Sequence, residues 1–267
     1  MFFGNHLKKI KGYITVAVLI CFSLVGTSIL TLPGLTSASA EAQAASVTTK
    51  TLASTTKYQK TPLYIIDSGK PGPVVMIVGG VHGNEPAGYQ AAERIKNLKV
   101  KKGKLLVIPR ANIVAVKNGT RGSSGVSDLN RHFPTTKNGK ARTNTAQSIW
   151  DTIKAYDVDY LIDLHEGYDY HKINSKSYGQ TLIYYPVSSS QTVGQKIINK
   201  LNSRIASSSK HFTLVRYPYP GTLARSTAQY LGINSFILET CRKSPLSVRI
   251  DNGVIAAQTL LTHLGMY

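Results

Sequence analysis

From Thr61 onward the chain alternates between two hydrophobic patterns. Short apolar runs alternate with stretches in which apolar positions recur every three or four residues. The first pattern predicts strands and the second helices. Strands are expected at residues 63–66, 74–78, 105–108, 160–164, 181–185, 213–216 and 235–238, and helices at 85–98, 143–156, 192–206, 222–231 and 252–264. The run at 74–78, Val-Val-Met-Ile-Val, carries no polar break. A strand of that kind is covered on both faces of its sheet. Strands and helices in this order predict one α/β domain with a mixed, mostly parallel sheet flanked by helices on both faces. In such sheets ligands bind beyond the carboxyl ends of the strands.

Ahead of Thr61 the pattern changes twice. Lys8, Lys9 and Lys11 precede an apolar run over residues 14–32, and Ala38-Ser39-Ala40 offers a small-x-small cleavage point. Residues 1–40 therefore read as a secretory signal peptide, with an uncleaved membrane anchor as the competing reading because the run approaches spanning length. Residues 41–60 are rich in Ala, Ser, Thr and Lys without periodicity and read as a flexible leader. The folded domain is then residues 61–267. Localisation follows: secreted, or associated with the cell envelope.

Composition narrows the classes. The 267 residues carry 32 Lys plus Arg against 13 Asp plus Glu, a net charge of +19, yet 42% are hydrophobic and only 17% charged. A chain this apolar folds around a core and is not a disordered basic tail. Removing residues 1–40 takes away three lysines and no acid, leaving +16. Cys241 is then the only cysteine, so neither a disulfide framework nor a cysteine-built zinc module holds the fold. No nucleic-acid module is recognisable, and charge alone does not make one. Electrostatic association with an anionic envelope is the expected use of the surplus.

With acids scarce, the ends of the predicted strands stand out. After 74–78 comes Gly79-Gly80-Val81-His82-Gly83-Asn84-Glu85-Pro86, with a His and a Glu three residues apart at the mouth of a helix. His165 follows strand 160–164 and Glu239 follows strand 235–238. Two His and one Glu form the ligand set of a catalytic zinc that keeps its fourth position open, which leaves Glu239 as a general base. The competing reading is a helix-capping His-x-x-Glu pair and an ordinary structural His. Asp163, two residues before His165, is either a support for a neighbouring group or a carboxylate with routine hydrogen bonds. The segment 121–134 adds two arginines and an Asn in a Gly/Ser loop, suited to gripping a carboxylate; alone it would read as a solvated basic loop. His132, His171, His211 and His263 fall in no partner pattern, and Tyr217 and Tyr219, in a Pro/Gly loop, read as packing or loop-stiffening residues.

Taken together, His82-Gly-Asn-Glu85, Asp128-Leu-Asn130-Arg131-His-Phe-Pro, Asp163-Leu-His165-Glu and Ile237-Leu-Glu239-Thr resemble, in order and context, the zinc metallocarboxypeptidase superfamily. Within it they are most similar to the succinylglutamate desuccinylase/aspartoacylase branch. The resemblance implies a zinc carboxypeptidase-like fold with residues 61–267 as the catalytic domain, that His82, Glu85 and His165 hold one Zn2+, that Asn130 and Arg131 bind a substrate carboxylate, that Arg121 polarises the scissile carbonyl, and that Glu239 is general base and then acid. A substrate-capping tyrosine, present in pancreatic-type members, is not placed by the motifs; Tyr217 and Tyr219, in a Pro/Gly loop before a helix, are the candidates, with packing or loop rigidity as the competing reading.

Three functions remain. The leading expectation is a secreted zinc hydrolase that cleaves an amide bond next to a free carboxylate, with a cell-wall peptide as the expected substrate. An N-acyl amino acid deacylase is the alternative within the same chemistry. A non-catalytic envelope-binding protein with this fold is the alternative outside it.

Overall fold

The computed structural model of this protein describes residues 45–52 and 60–267. The segment read as an export signal lies outside the described residues. In chain order the elements are β1 (Ser46–Leu52), β2 (Thr61–Asp67), β3 (Val74–Val78), α1 (Pro86–Ile95), β4 (Lys104–Ile108), α2 (Ile113–Asn118), α3 (Asn144–Ala155), β5 (Tyr160–Gly167), β6 (Thr181–Tyr184), α4 (Ser190–Asn202), β7 (Thr213–Val215), α5 (Leu223–Leu231), β8 (Asn234–Cys241) and α6 (Leu246–His263). The strands form one sheet in the order β1-β2-β4-β3-β5-β8-β6-β7. β3 pairs parallel with β4 and with β5, β5 with β8, and β6 with β7. The pairs β1–β2, β2–β4 and β6–β8 are antiparallel. The sheet is mixed and mostly parallel, with helices on both faces, as predicted.

The uninterrupted apolar runs resolve into two cores through the two-residue period of a strand. Val75, Ile77, Leu105, Val107, Ile162 and Leu164 point to the face covered by α1, α4 and α6. Met76, Val78, Leu106, Ile108 and Leu161 point to the other face, where Ala146, Ile149 and Ile153 of α3 cover them. Burying each such side chain stabilises the fold by about 1.5–3 kcal/mol. The central strands therefore sit fixed in register, and their carboxyl ends are rigid platforms.

Three features differ from expectation. Ser46–Leu52, inside the segment read as a leader without regular structure, pairs along its whole length with β2 as an exposed edge strand. Its Thr-rich sequence suits an edge that meets solvent on most positions. β5 and β8 run to Gly167 and Cys241, so His165 and Glu239 lie inside the strands and face each other in register instead of following them. The short helix α2 was not predicted, since six residues give too little periodicity to read. Among the described residues no helix is long and apolar enough to cross a membrane.

α1 lies close against β5 because Gly88 has no side chain. A Cβ there would come 2.4 Å from the Leu164 carbonyl oxygen. Gly88→Ala is predicted to destabilise the protein by about 2 kcal/mol or more, although Ala is the better helix former by about 1 kcal/mol. Chemical denaturation checks this; a variant as stable as the parent contradicts the packing.

Candidate active site

The loop between β3 and α1 is forced into shape by close backbone approach. A Cβ on Gly83 would fall 1.9 Å from the carbonyl carbon of Ala115 in α2, so only glycine lets the loop lie there. On either side of it, His82 and Glu85 turn inward, both buried. Glu85 occupies the N-cap of α1 but makes no side-chain cap hydrogen bond. Its carboxylate instead reaches the histidines, which decides against the capping reading of His-x-x-Glu.

Three sets of donor atoms converge. His82 Nδ1 lies 2.8 Å from Glu85 Oε1, His165 Nδ1 lies 2.9 Å from Glu85 Oε2, and the two Nδ1 atoms are 3.1 Å apart. Ligands about 2.0–2.1 Å from a tetrahedral zinc stand roughly 3.3 Å from one another, so the spacing suits such an ion. Each remaining ring nitrogen meets a carboxylate: His82 Nε2 is 2.9 Å from Asp128 Oδ1, and His165 Nε2 is 2.8 Å from Asp163 Oδ2. Those carboxylates accept the Nε2–H protons and turn both Nδ1 lone pairs toward the centre, the arrangement metal-binding histidines use. The donor set thus fits a divalent cation. Burial pushes the His165 pKa down, but Asp163 and Glu85 outweigh it and hold the ring charged well above its ordinary value. Burial likewise raises Asp128, and His82 and Arg121 outweigh it, keeping that carboxyl well below the usual range.

Glu239 stands beside His165 in register on the neighbouring strand. Its carboxylate takes no hydrogen bond from any described residue, and burial, with Glu85 and Asp163 nearby, pushes its pKa up to about 7 against the pull of the two histidines. A carboxyl poised near neutrality is suited to taking and returning a proton.

These groups line an open cleft of about 360 Å3, together with Arg121, Arg131, Arg242, Lys176 and Tyr178. Arg121 donates from Nη2 to Asp128 Oδ2 at 2.9 Å and brings Nη1 within 3.5 Å of Glu85 Oε1, beside the histidines. Arg131 donates to the Asn130 carbonyl at 2.8 Å and lies over the Tyr219 ring. All seven site residues expected from sequence therefore meet in one cleft. Asn130 differs in how it serves. It is buried, its Nδ2 donates to Asp163 and its Oδ1 accepts from the Leu223 amide at 2.8 Å, so its amide braces the floor and the start of α5.

Sequence reasoning misjudged or passed over several neighbours. Tyr217 and Tyr219 are half exposed on the cleft mouth and not packed in a core. The Tyr178 and Tyr219 hydroxyls are 3.1 Å apart across it. Asp128 was read only as part of a motif; nothing in its spacing to His82, 46 residues away, announced the contact. Asp163 is the support and not a carboxylate with routine partners: two residues before His165 it shares that face of β5, and its Oδ2 lies 2.8 Å from His165 Nε2.

Comparison with known proteins agrees with this geometry. Residues 71–180 match the family model of the succinylglutamate desuccinylase/aspartoacylase catalytic domain. The motif resemblance to the zinc metallocarboxypeptidase superfamily, and to this branch of it, therefore stands. The N-alpha-acetyl-L-2,4-diaminobutyric acid deacetylase of Halomonas elongata is 28% identical over 110 residues, 40% of this chain and 32% of that protein. The mDAP-bound form of Helicobacter pylori Csd4, a D,L-carboxypeptidase, superposes with a TM-score of 0.61 at 22% identity, covering 73% of this chain and 52% of Csd4. A succinylglutamate desuccinylase/aspartoacylase from Rhodobacter sphaeroides superposes with a TM-score of 0.61 at 18% identity, covering 83% and 66%. The chain spans about a third of the length of the deacetylase and about half that of Csd4. The structural likeness shows a shared zinc carboxypeptidase-like fold.

The raised Glu239 carboxyl makes a stability prediction. In the unfolded chain it ionises near pH 4.3 and in the metal-free fold near 7, so its ionisation costs folding free energy as pH rises through that window. Glu239→Gln should raise the thermal midpoint of the metal-free protein at pH 8, with the gain vanishing by pH 4. A midpoint unchanged or lowered at pH 8 would contradict the placement of the group.

Proposed function

We propose that the protein is a metal-dependent hydrolase that cleaves an amide bond adjacent to a free carboxylate, of carboxypeptidase type. The convergence of His82, Glu85 and His165 beside an unpartnered Glu239, in a cleft that Arg121 and Arg131 enter, carries this reading. The family match and the likeness to a deacetylase and a D,L-carboxypeptidase support hydrolysis as the chemistry.

The roles follow from position. His82, Glu85 and His165 would hold Zn2+, which when bound supplies a Lewis acid and makes water acidic enough to react near neutral pH. Glu239, beside His165 in register and without a hydrogen-bond partner among the described residues, is placed to accept the proton of the attacking water and return it to the departing amine nitrogen. Arg121, fixed by Asp128 at the edge of the ligand set, donates to the carbonyl oxygen as negative charge builds there. Arg131 pairs with the substrate carboxylate, and Asn130 holds the floor against which Arg131 is set. The cleft's surplus of cations over free carboxylates draws anionic substrates.

An exported enzyme meets peptides and wall fragments, so residues 1–40, read as a signal, favour a peptide bearing a free carboxylate, a cell-wall peptide among them. The deacylase reading draws on the family match and on the deacetylase of H. elongata. A substrate panel separates the two: release of the terminal amino acid from short peptides supports the first, and cleavage of acyl-amino acids alone supports the second.

Two variants test the roles. Glu239→Gln is expected to keep its metal while turnover falls by about a thousandfold or more, in the upper half of the usual range for a general acid–base group because the same group serves twice. Near-parental turnover would sink the mechanism. Arg131→Met should raise KM for free-carboxylate substrates at least tenfold while leaving the already poor cleavage of their amides unchanged; equal effects on both would remove Arg131 from carboxylate recognition.

A further inference from the structure

One buried carboxylate beside the site has no part in the chemistry above. Glu166 follows His165 in β5, and the two-residue period turns it to the opposite face, toward α1 and α6. Its side chain is fully enclosed, and Arg249 of α6, itself 13% exposed, places Nη1 2.7 Å from both of its carboxylate oxygens. Arg242 stands farther off, with Nε 3.5 Å from Oε2. A buried ion pair costs desolvation that a pair of apolar residues would avoid, so its contacts merit reading.

Both ends of Glu166 act on the same neighbour. Its Oε1 accepts the backbone N–H of Ala87 at 2.7 Å, in the first turn of α1, and its own N–H donates to Glu85 Oε2 at 3.1 Å. Glu85 is the N-cap of that helix and leaves it uncapped by its own side chain. A helix start has backbone donors to satisfy and favours a negative charge nearby. Here the carboxylate of Glu166, reaching in from another strand, meets that need, and Glu85 is released to face His82 and His165. Two carboxylates at one helix terminus repel each other, and Arg249 neutralises the one that is not needed at the centre.

We propose that Arg249 and Glu166 form a positioning pair that caps α1 in place of Glu85 and thereby holds Glu85 in its ligating orientation. The pair touches neither substrate nor reacting atoms. It acts through the start of α1 and through the Glu166 amide. This rests on the reading of His82, Glu85 and His165 as a metal site.

The experiment is a competition titration of the metal-free full chain with Zn2+ against a chromophoric chelator, run where circular dichroism shows each variant folded. Arg249→Met, which keeps the apolar stem and loses the charge, is expected to weaken binding by about 10–100-fold, the usual range for a group behind the ligands. Arg249→Lys is expected to recover most of that loss, because both contacts come from one nitrogen and an ammonium can replace it. A role confined to general stability would lower the thermal midpoint of Arg249→Met while leaving the affinity of the folded protein at the parental value, and that result overturns the proposal. If Arg249→Met does not fold, Glu166→Gln, which keeps an acceptor for Ala87 but loses the ion pair, should weaken binding in the same direction; unchanged affinity overturns the proposal equally. A parent protein that binds no Zn2+ would sink the metal reading itself, an outcome distinct from either.

Discussion

Two imidazole nitrogens 3.1 Å apart, both facing one carboxylate, are the constraint on which the centre of this structure depends. With Asp128 and Asp163 each taking an Nε2–H, the lone pairs of His82 and His165 point at each other and at Glu85. Such a convergence repels itself unless positive charge lies between. In the metal-free fold that charge is a proton on His165, which its carboxylate neighbours retain to well above the ordinary pKa. A divalent cation would satisfy the same demand more fully, with Glu85 facing it and Asp128 and Asp163 behind the two rings.

The sheet makes the convergence possible. β3 and β5 deliver His82 and His165 from adjacent strands, and the parallel pairing of β5 with β8 sets Glu239 opposite His165. The alternation of β5 then divides its residues: Asp163 and His165 belong to the site, Leu164 to the core, and Glu166 to the seam with α1 and α6. One strand thus carries His165, the Asp163 carboxylate that meets its ring, and Glu166, whose amide meets Glu85, with the core packing of its apolar positions fixing all three at once.

Much of this was legible before any coordinates. Uninterrupted apolar runs marked the central strands, and the rule that ligands bind at strand carboxyl ends led to His82, Glu85, His165 and Glu239. What stayed hidden depended on distance in sequence or on backbone contact. Asp128 supports His82 across 46 residues, and Arg249 reaches Glu166 across 83. No periodicity encodes either contact. The lie of the His82 loop against α2 depends on Gly83 lacking a side chain, which reads in sequence only as one glycine among 22. Ser46–Leu52 escaped because an exposed edge strand has no apolar alternation to reveal it. For Tyr217 and Tyr219 the Pro/Gly loop leaves capping, packing and stiffening all open in sequence, and only the path of the loop, which carries them to the cleft mouth, removes core packing.

The central claim is that these three side chains form a metal site that replaces a proton with a cation. Calorimetric titration of the metal-free protein with Zn2+ at pH 7.5, repeated in buffers of different ionisation enthalpy, measures both ion and proton. The account predicts one ion per chain and a net release of protons on binding, with His165 among their sources. Absence of saturable binding, or tight binding with no proton released, would contradict it.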